Sequence, residues 1–326
     1  MTTRPLQLAG FIALALVALL AIACAAAITL GGPAPIAPLA SINEPFAKVD
    51  FSAVPPPSRY TARDGTAMSW NSYPAAGPTA QGRRIVLVHG SSAHGRSMHV
   101  LAQALSRAGF SVAALDMRGH GGSGTRGQAA YVGQLEDDVE DFLRAVPHAG
   151  GNTLLGFSSG GGFTLRFAGG SRQQLFDRYV LLAPYLRHDA PTARPDNGGW
   201  VSVGIPRIVG LRLANAVGIT GWNNLPVVNF ALDEQARRFL TPSYSYALAA
   251  SFGPHDDWRG DIRAARGPLR VVAGSQDELF HSDRYAAAFA EAGKPVPVTL
   301  VPGVNHMGIT LDAAATQAVV QACLLP

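Results

Sequence analysis

One pentapeptide carries the clearest chemical signal in the sequence: Gly156-Phe157-Ser158-Ser159-Gly160, which matches the pattern G-x-S-x-G. An apolar segment typical of a strand precedes it, and a helix-length segment follows. In that context, the small residues two positions before and after the serine make room for a sharp, strained turn. The hydroxyl of Ser158 would then stand free beside helix N-terminal amides, which favour developing negative charge. Ser158 is the predicted nucleophile, because Phe157 removes Ser159 from the same pattern.

A serine hydroxyl is a weak nucleophile and needs a general base that a third group holds in place. The chain has nine histidines, and His306 is the predicted base because it follows the last predicted strand and precedes the last helix. Asp277 follows the strand predicted at 269–273, so its carboxylate is predicted to hold the His306 tautomer. Glu278 is the neighbouring alternative.

Two backbone amides are predicted to stabilise an oxyanion. One is the N–H of Ser159, directly after the nucleophile, and the other is the N–H of Ser91, in the loop that follows an early strand. The His89 and His120 side chains are interpreted as braces for their loops.

Short apolar segments alternate with helix-length segments from residue 59 onward. This alternation predicts an α/β fold, with a mostly parallel sheet covered by helices on both faces. Residues 185–262 interrupt the rhythm with many aromatic, glycine and proline residues, which predicts a small helical cap of their own.

Together these features resemble the α/β-hydrolase superfamily, from about residue 59 to the C-terminus. His89-Gly90, the segment DMRGHGGS at 116–123, the Ser158 motif, Asp277 and His306 occur in the order and spacing of that family. The 116–123 segment is similar to the D-x-R-G-H-G-x-S stretch of monoacylglycerol lipases and lysophospholipase-like members. The resemblance implies a Ser–Asp–His triad, a backbone oxyanion hole and a helical cap inserted after the sixth strand.

The N-terminal residues 6–30 are almost entirely apolar and uncharged. Hydrophobic residues make up 48% of the chain and charged residues 15%, against about 25% charged residues in an average soluble domain. A helix of 25 residues, at about 1.5 Å per residue, is longer than the ~30 Å hydrocarbon core of a membrane. Residues 1–30 are therefore predicted to be a retained transmembrane signal anchor. A cleaved signal peptide and a lipoprotein signal at Cys24 are the alternatives. The positive charge of Arg4 predicts that the N-terminus lies in the cytoplasm and the catalytic domain outside it.

The remaining domain boundaries follow from composition. Residues 31–57 are proline-rich and predict a semi-extended tether, and residues 58–326 form the hydrolase domain with the cap at 185–262. The net charge is +4, and the arginines are scattered, which argues against nucleic acid as a partner. No spacing of metal ligands is present, and no cofactor is expected.

The sequence therefore predicts a membrane-tethered serine hydrolase of carboxylic esters, with a lipid or monoacyl ester as substrate. An acyltransferase or perhydrolase that uses the same triad is the alternative within catalysis. A non-catalytic binding protein with the same fold is the alternative outside it.

Overall fold

A twisted eight-stranded sheet forms the centre of the computed structural model, which describes residues 3–76 and 82–325. The strand order is β1-β2-β4-β3-β5-β6-β10-β11. The β1–β2 and β2–β4 pairs are antiparallel and the other five pairs are parallel. All five residues of β3 are buried, as expected of a strand covered on both faces. The strands are β1 Pro57–Thr61, β2 Ala67–Tyr73, β3 Arg84–Val88, β4 Ser111–Leu115, β5 Asn152–Phe157, β6 Arg178–Leu182, β7 Val201–Val203, β8 Pro226–Phe230, β9 Ser243–Ser245, β10 Leu269–Gly274 and β11 Val298–Val301.

The described residues form twelve α-helices. They are α1 Thr3–Leu30, α2 Ala40–Asn43, α3 His99–Arg107, α4 Gln134–Ala145, α5 Ser159–Gly169, α6 Ile205–Ala216, α7 Glu234–Phe239, α8 Tyr246–Ser251, α9 Trp258–Ala264, α10 Tyr285–Glu291, α11 Gly308–Leu311 and α12 Ala313–Leu324. The last predicted helix is divided, because Asp312 ends α11 and its carboxylate caps the N-terminus of α12. This parallel arrangement brings the carboxyl ends of β3, β5, β10 and β11 to one edge of the sheet.

The insertion between β6 and β10 differs in detail from the predicted helical layer. Strands β7, β8 and β9 form a separate antiparallel sheet, and α6, α7 and α8 accompany it. Helix α9 instead packs on α5, where a Cβ at Gly169 would lie 2.5 Å from the Cα of Asp261. The last helix of residues 185–262 therefore packs on the main body. Short strands with bulges and buried tyrosines carry little alternation, so the sequence pattern did not reveal this sheet.

The proline-rich residues 31–57, predicted to be a semi-extended tether, pack on the body of the protein at several points. They include α2 and a 3-10 turn at Glu44–Lys48, and Ile42 is buried in the main hydrophobic core. Leu39 N–H donates to Ala231 O at 2.9 Å, and the Asn71 side-chain amide donates to Pro55 O at 2.8 Å. The segment is attached to the protein at both ends because it supplies apolar side chains and carbonyl groups that the body can bind.

The DMRGHGGS segment at 116–123 forms a hydrogen-bonded loop after β4, and its polar side chains are buried. Arg118 donates two hydrogen bonds to Asp138 on α4, from Nε at 2.8 Å and from Nη2 at 2.6 Å, and both side chains are almost fully buried. The Asp116 carboxylate accepts from Gly95 N–H and Gly122 N–H, each at 2.8 Å. These bonds fold the loop back on itself and fix it beneath the edge where the site lies.

Two neutral histidines lie under the loop after β3. His89 Nδ1–H donates to Gly90 O at 2.7 Å, and its Nε2 accepts from Met117 N–H at 3.1 Å. The ring centroids of His89 and His120 are 4.6 Å apart. His120 Nδ1–H donates to backbone carbonyls, so its Nε2 accepts from Tyr244 Oη, at 2.6 Å. Burial, then the neighbouring His120, lowers the pKa of His89 well below its usual range, and burial lowers the pKa of His120 to about 4.

The Arg118–Asp138 pair yields the first prediction. Asp138→Ala removes the bidentate partner of the buried Arg118 guanidinium and leaves it paired with the more exposed Asp64, which costs up to about 3–5 kcal/mol of unfolding free energy. Asp256→Ala is the control, because its arginine pairs are exposed and we expect a loss below about 1 kcal/mol. Urea denaturation measures both variants. Equal losses in the two would show that the buried pair has no special role.

The neutral histidines make stability depend on pH. Above pH 6.5, His120 is neutral in the folded and unfolded states, so it adds no pH dependence. As the pH decreases from about 6.5 to 4, His120 binds a proton in the unfolded state but not in the folded state. The free energy of unfolding therefore decreases by up to about 1.4 kcal/mol for each pH unit. His120→Asn should reduce the slope of unfolding free energy against pH by nearly the amount that corresponds to one bound proton. Tyr244→Phe should destabilise the protein at every pH but retain most of the slope. An unchanged slope in His120→Asn would contradict the assignment.

Candidate active site

The turn between β5 and α5 places Ser158 in a strained conformation, with φ 55° and ψ −117°. Residues other than glycine rarely have a positive φ, and those that do store about 1–3 kcal/mol of strain. A Cβ at Gly156 would clash with the carbonyl oxygen of Gly160, and a Cβ at Gly160 would clash with the carbonyl oxygen of His89. The two glycines of the motif are thus required because the backbone approaches itself closely on both sides of Ser158.

Three backbone hydrogen bonds hold this turn. Ser158 N–H donates to Leu182 O, at the end of β6, at 2.8 Å. Ser158 O accepts from Gly162 N–H and from Tyr185 N–H, each at 3.0 Å. The main chain of Ser158 is therefore fixed between α5, β6 and the start of the cap, while its side chain lines a cavity.

Asp277 and His306 form a buried pair at the same sheet edge. His306 Nδ1 and Asp277 Oδ2 are 2.8 Å apart, and the two residues are 2% and 1% exposed. The other carboxylate oxygen of Asp277 accepts from Leu279 N–H at 2.8 Å and Phe280 N–H at 2.9 Å. Because an ionised carboxylate only accepts hydrogen bonds, Nδ1 carries the proton of a neutral His306, and its Nε2 is left to accept one.

The ring of His306 lies beside the Ser158 turn. Its centroid is 4.8 Å from that of Phe157, the residue before Ser158, and 5.2 Å from that of Phe280. The alternative acid, Glu278, has a different contact: its Oε2 accepts from the backbone N–H of His306 at 2.9 Å. Asp277 therefore contacts the imidazole, and Glu278 holds the backbone of the same residue.

Ser91 and Ser159, the predicted oxyanion donors, both line the cavity with Ser158. Within the described residues, neither of their backbone N–H groups has a protein acceptor. The N–H of Ser159 is free because Ser159 is the first residue of α5, where helical acceptors are absent. Both groups are available to bind an anionic oxygen in the cavity.

Cap residues that sequence reasoning missed hold the Ser91 loop in place. Trp200 Nε1–H donates to Ser91 Oγ at 2.8 Å. Ser92, which has a positive φ of 68°, donates from its N–H to Tyr244 Oη at 2.6 Å and from its Oγ to Thr241 O at 2.7 Å. These partners lie 109 to 152 residues away in the chain, so no local pattern could have identified them.

The cavity above Ser158 has a volume of about 120 Å³ and mainly aromatic and aliphatic walls. Among its described lining residues, only Arg194 carries a charge. The guanidinium of Arg194 donates from Nη2 to Asp277 O at 2.9 Å and from Nε to Phe280 O at 3.3 Å. Arg194 therefore ties the cap to the loop of Asp277, and the rest of the wall suits an apolar group. The lining residues are Ser91, Ser158, Ser159, Tyr185, Ala193, Arg194, Trp200, Val201, Val228, Phe230, Tyr244, Ala249, Phe252, Leu279 and Phe280.

Comparison with known proteins places this chain in a family. The family model described as serine aminopeptidase, S33 (Hydrolase_4) matches residues 80–310. A monoacylglycerol lipase from Mycolicibacterium smegmatis is 40% identical over 241 residues, which cover 68% of this chain and 80% of that protein.

Solved structures share the fold. A soluble variant of monoglyceride lipase from Saccharomyces cerevisiae, in complex with a substrate analog, superposes with a TM-score of 0.62 at 17% identity, over 85% of this chain and 96% of that one. A membrane phospholipase A described as a bacterial virulence factor superposes with a TM-score of 0.56 at 16% identity, over 99% of this chain and 98% of that one. The chain therefore belongs to the serine aminopeptidase S33 family of α/β-hydrolases and is a hydrolase of the esterase and lipase type.

Proposed function

We propose that the protein is a membrane-anchored serine hydrolase that cleaves monoacylglycerols or similar monoacyl esters through an acyl-enzyme. The observation that carries the proposal is the buried Asp277–His306 hydrogen bond beside a strained Ser158 at the base of an apolar cavity. The 40% identity to a monoacylglycerol lipase supports the substrate class.

The reaction proceeds in two halves. Ser158 Oγ attacks the acyl carbonyl carbon, its proton passes to His306 Nε2, and the Ser91 and Ser159 N–H groups bind the resulting oxyanion. The ester C–O bond then breaks, and His306 returns the proton to the leaving alcohol. Water next attacks the acyl-enzyme and gives a proton to His306, the fatty acid leaves, and Ser158 Oγ regains its proton. Asp277 stabilises the imidazolium in both halves.

An ester with an apolar acyl group suits the cavity better than an aminopeptidase substrate. The free α-ammonium group of a peptide needs an acidic partner in a desolvated pocket. The described residues that line this cavity include no aspartate or glutamate, and the only charge is that of Arg194. The acyl chain would instead bury apolar surface against residues such as Phe230 and Phe252.

The anchor part of the proposal rests on α1. Residues Gln7–Leu30 have a mean hydropathy of 2.9, with 6% of the most apolar window buried, and are long enough to span a membrane. Length and composition alone would equally fit a signal sequence. Ile28, however, is only 4% exposed and packs with Leu211 and Val227 of the cap. Cleavage after Ala27 would leave Ile28 in the enzyme and would remove Cys24, which packs against the same cluster and binds Gly210 O. This Cys24 contact supports a retained anchor.

Hydrolysis of a panel of monoacylglycerols from two to sixteen acyl carbons tests the substrate class. We expect kcat/KM to rise about fourfold per CH₂ from acetyl to medium chains, because each buried CH₂ contributes about 0.8 kcal/mol. Ser158→Ala should abolish hydrolysis and labelling by a fluorophosphonate probe. Equal labelling of both proteins, or activity confined to acetyl esters, would contradict the proposal.

The same panel separates hydrolysis from acyl transfer. With added alcohol, free fatty acid should remain the main product. A new ester as the main product would instead identify the protein as an acyltransferase.

The acid of the triad is tested by a matched pair of neighbouring carboxamides. Asp277→Asn should lower kcat by about 10⁴-fold with little change in KM, because the wrong His306 tautomer would face Ser158. Glu278→Gln retains a carbonyl oxygen that accepts from His306 N–H, so we expect less than about a tenfold loss. Steady-state kinetics on a soluble short-chain ester measures both. A larger loss of kcat for Glu278→Gln than for Asp277→Asn would identify Glu278 as the acid of the triad.

A further inference from the structure

The C-terminal end of α1 packs against the cap helix α6. Cys24 Sγ–H donates to Gly210 O at 3.3 Å, and Ile28 lies in an apolar cluster with Leu211 and Ala214 of α6. Val227 of β8 and Tyr246 of α8 complete the same cluster. The C-terminal end of α1 is thus part of the core of the cap.

Glycines set how closely the two elements approach. A Cβ at Gly210 would lie 2.8 Å from Ile28 Cγ1, and a Cβ at Gly31 would lie 2.7 Å from Pro206 Cβ. Real Cβ atoms do not approach other carbon atoms so closely, so both positions need the absence of a side chain. Small residues at such a contact are typical of helices that pack within or beside a membrane.

Arg207 binds the C-terminal end of α1. Its Nε donates to Ile28 O at 2.7 Å, and its Nη2 donates to Thr29 O at 3.0 Å. The last carbonyls of a helix have no partner within the helix, and a cation there also complements the helix dipole. Nη1 donates to Pro226 O at 2.8 Å, so the same side chain joins α1, α6 and β8.

The chain that follows α1 continues along the cap. The Asn229 side-chain amide donates to Ala34 O at 3.1 Å, and both Leu39 N–H and the Asn43 side-chain amide donate to Ala231 O. The membrane segment is therefore joined to the cap over about two turns of helix and the irregular segment that follows, as far as Asn43.

Another face of α6 carries an exposed apolar stripe. It consists of Ile205, Val209, Leu213 and Val217, spaced four residues apart and exposed by 64%, 49%, 48% and 74%. Ile219 and Trp222 in the following turn are exposed by 49% and 50%. Residues at this spacing share one side of a helix, and soluble monomers seldom expose such contiguous patches without a partner.

We propose that α1 and α6 form one membrane-docking unit, in which the stripe of α6 lies in the leaflet that α1 enters. The proposal rests on the membrane anchoring of α1 given above. Continuity argues for lipid as the occupant: the exposed apolar surface of α1 reaches the point at which Ile28 packs on α6. Trp222 suits the boundary of the hydrocarbon, where amphipathic rings accumulate. Arg207 enters this region with its charge bound by carbonyl oxygens.

Docking would connect the leaflet with the cavity. Val228 of β8 packs against the α1–α6 cluster and also lines the cavity above Ser158. Helix α6 and the small sheet of the cap therefore lie between the docked stripe and the acyl-binding wall. Docking would bring the cavity that receives the acyl chain close to the leaflet that holds the substrate.

The position of the stripe is tested with an environment-sensitive fluorophore on full-length protein in phosphatidylcholine vesicles. The reporter is attached at Leu213→Cys, with Ala287→Cys on the exposed side of α10 as control and the parent protein as background for the native cysteines. We expect spin-labelled lipid to quench the reporter at 213 at least twofold and to leave the one at 287 unchanged. Vesicle-bound protein with an unquenched reporter at 213 would overturn the docking unit alone. Failure to bind vesicles would overturn the anchoring as well. Cross-linking between copies at 213 without lipid quenching would assign the stripe to a dimer.

A second measurement gives the functional consequence. Leu213→Asp should lower hydrolysis of vesicle-borne monoacylglycerol about tenfold and change hydrolysis of a soluble butyryl ester by less than twofold. Ala287→Asp adds the same charge on α10 and should change neither rate. Equal losses on both substrates, or no loss on either, would overturn the proposal.

Discussion

The close approach of backbone around Ser158 is the constraint on which the rest of the site depends. Gly160 lies against the carbonyl of His89, and Gly156 lies against the carbonyl of Gly160, so β3, β5 and α5 meet with no room for side chains. This contact holds Ser158 at positive φ, beside a cavity that Ser159 and Ser91 of the loop after β3 also line. Each of the other groups is placed relative to this fixed point, because parallel strands end at one edge of the sheet.

The cap is a structural part of the site as well as its cover. Trp200 and Tyr244 bind the loop that contains Ser91 and Ser92, and Arg194 binds the loop that contains Asp277. His281 N–H also donates to Thr192 O at 2.8 Å, beside an isolated bridge between Ala193 and Phe280. Because both halves of the proposed machinery are bound to the cap, a displacement of the cap would change the oxyanion loop and the acid loop together.

Because both loops of the site are bound to the cap, the packing of α1 on the cap links the N-terminal helix to the site. The N-terminal helix and the residues after it contact α6, β8 and the segment after β8, all within the insertion. Forces on α1 would therefore reach the cap before the central sheet. In the proposed membrane-anchored enzyme, the wall of the cavity and the membrane contact would belong to one packed unit.

Local sequence determined the central α/β layer and the positions of its chemical groups. Continuous apolar strands, the glycines beside Ser158, and polar residues directly after β10 and β11 are short-range signals, and they were sufficient to select Ser158, Asp277, His306, Ser91 and Ser159 as candidates. These signals are local because strand burial and tight turns are imposed by residues within a few positions.

Tertiary structure decided what depends on contacts between distant segments. The choice between Asp277 and Glu278 at the imidazole, the small sheet of the cap, the attachment of residues 31–57 and the packing of Ile28 on α6 all fall in this group. Two adjacent carboxylates have the same chemistry, and only the direction of each side chain in the folded loop assigns one to the ring and the other to the backbone. An apolar helix likewise has the same composition whether it is a free anchor or part of a cap, since its partners lie about 180 residues away.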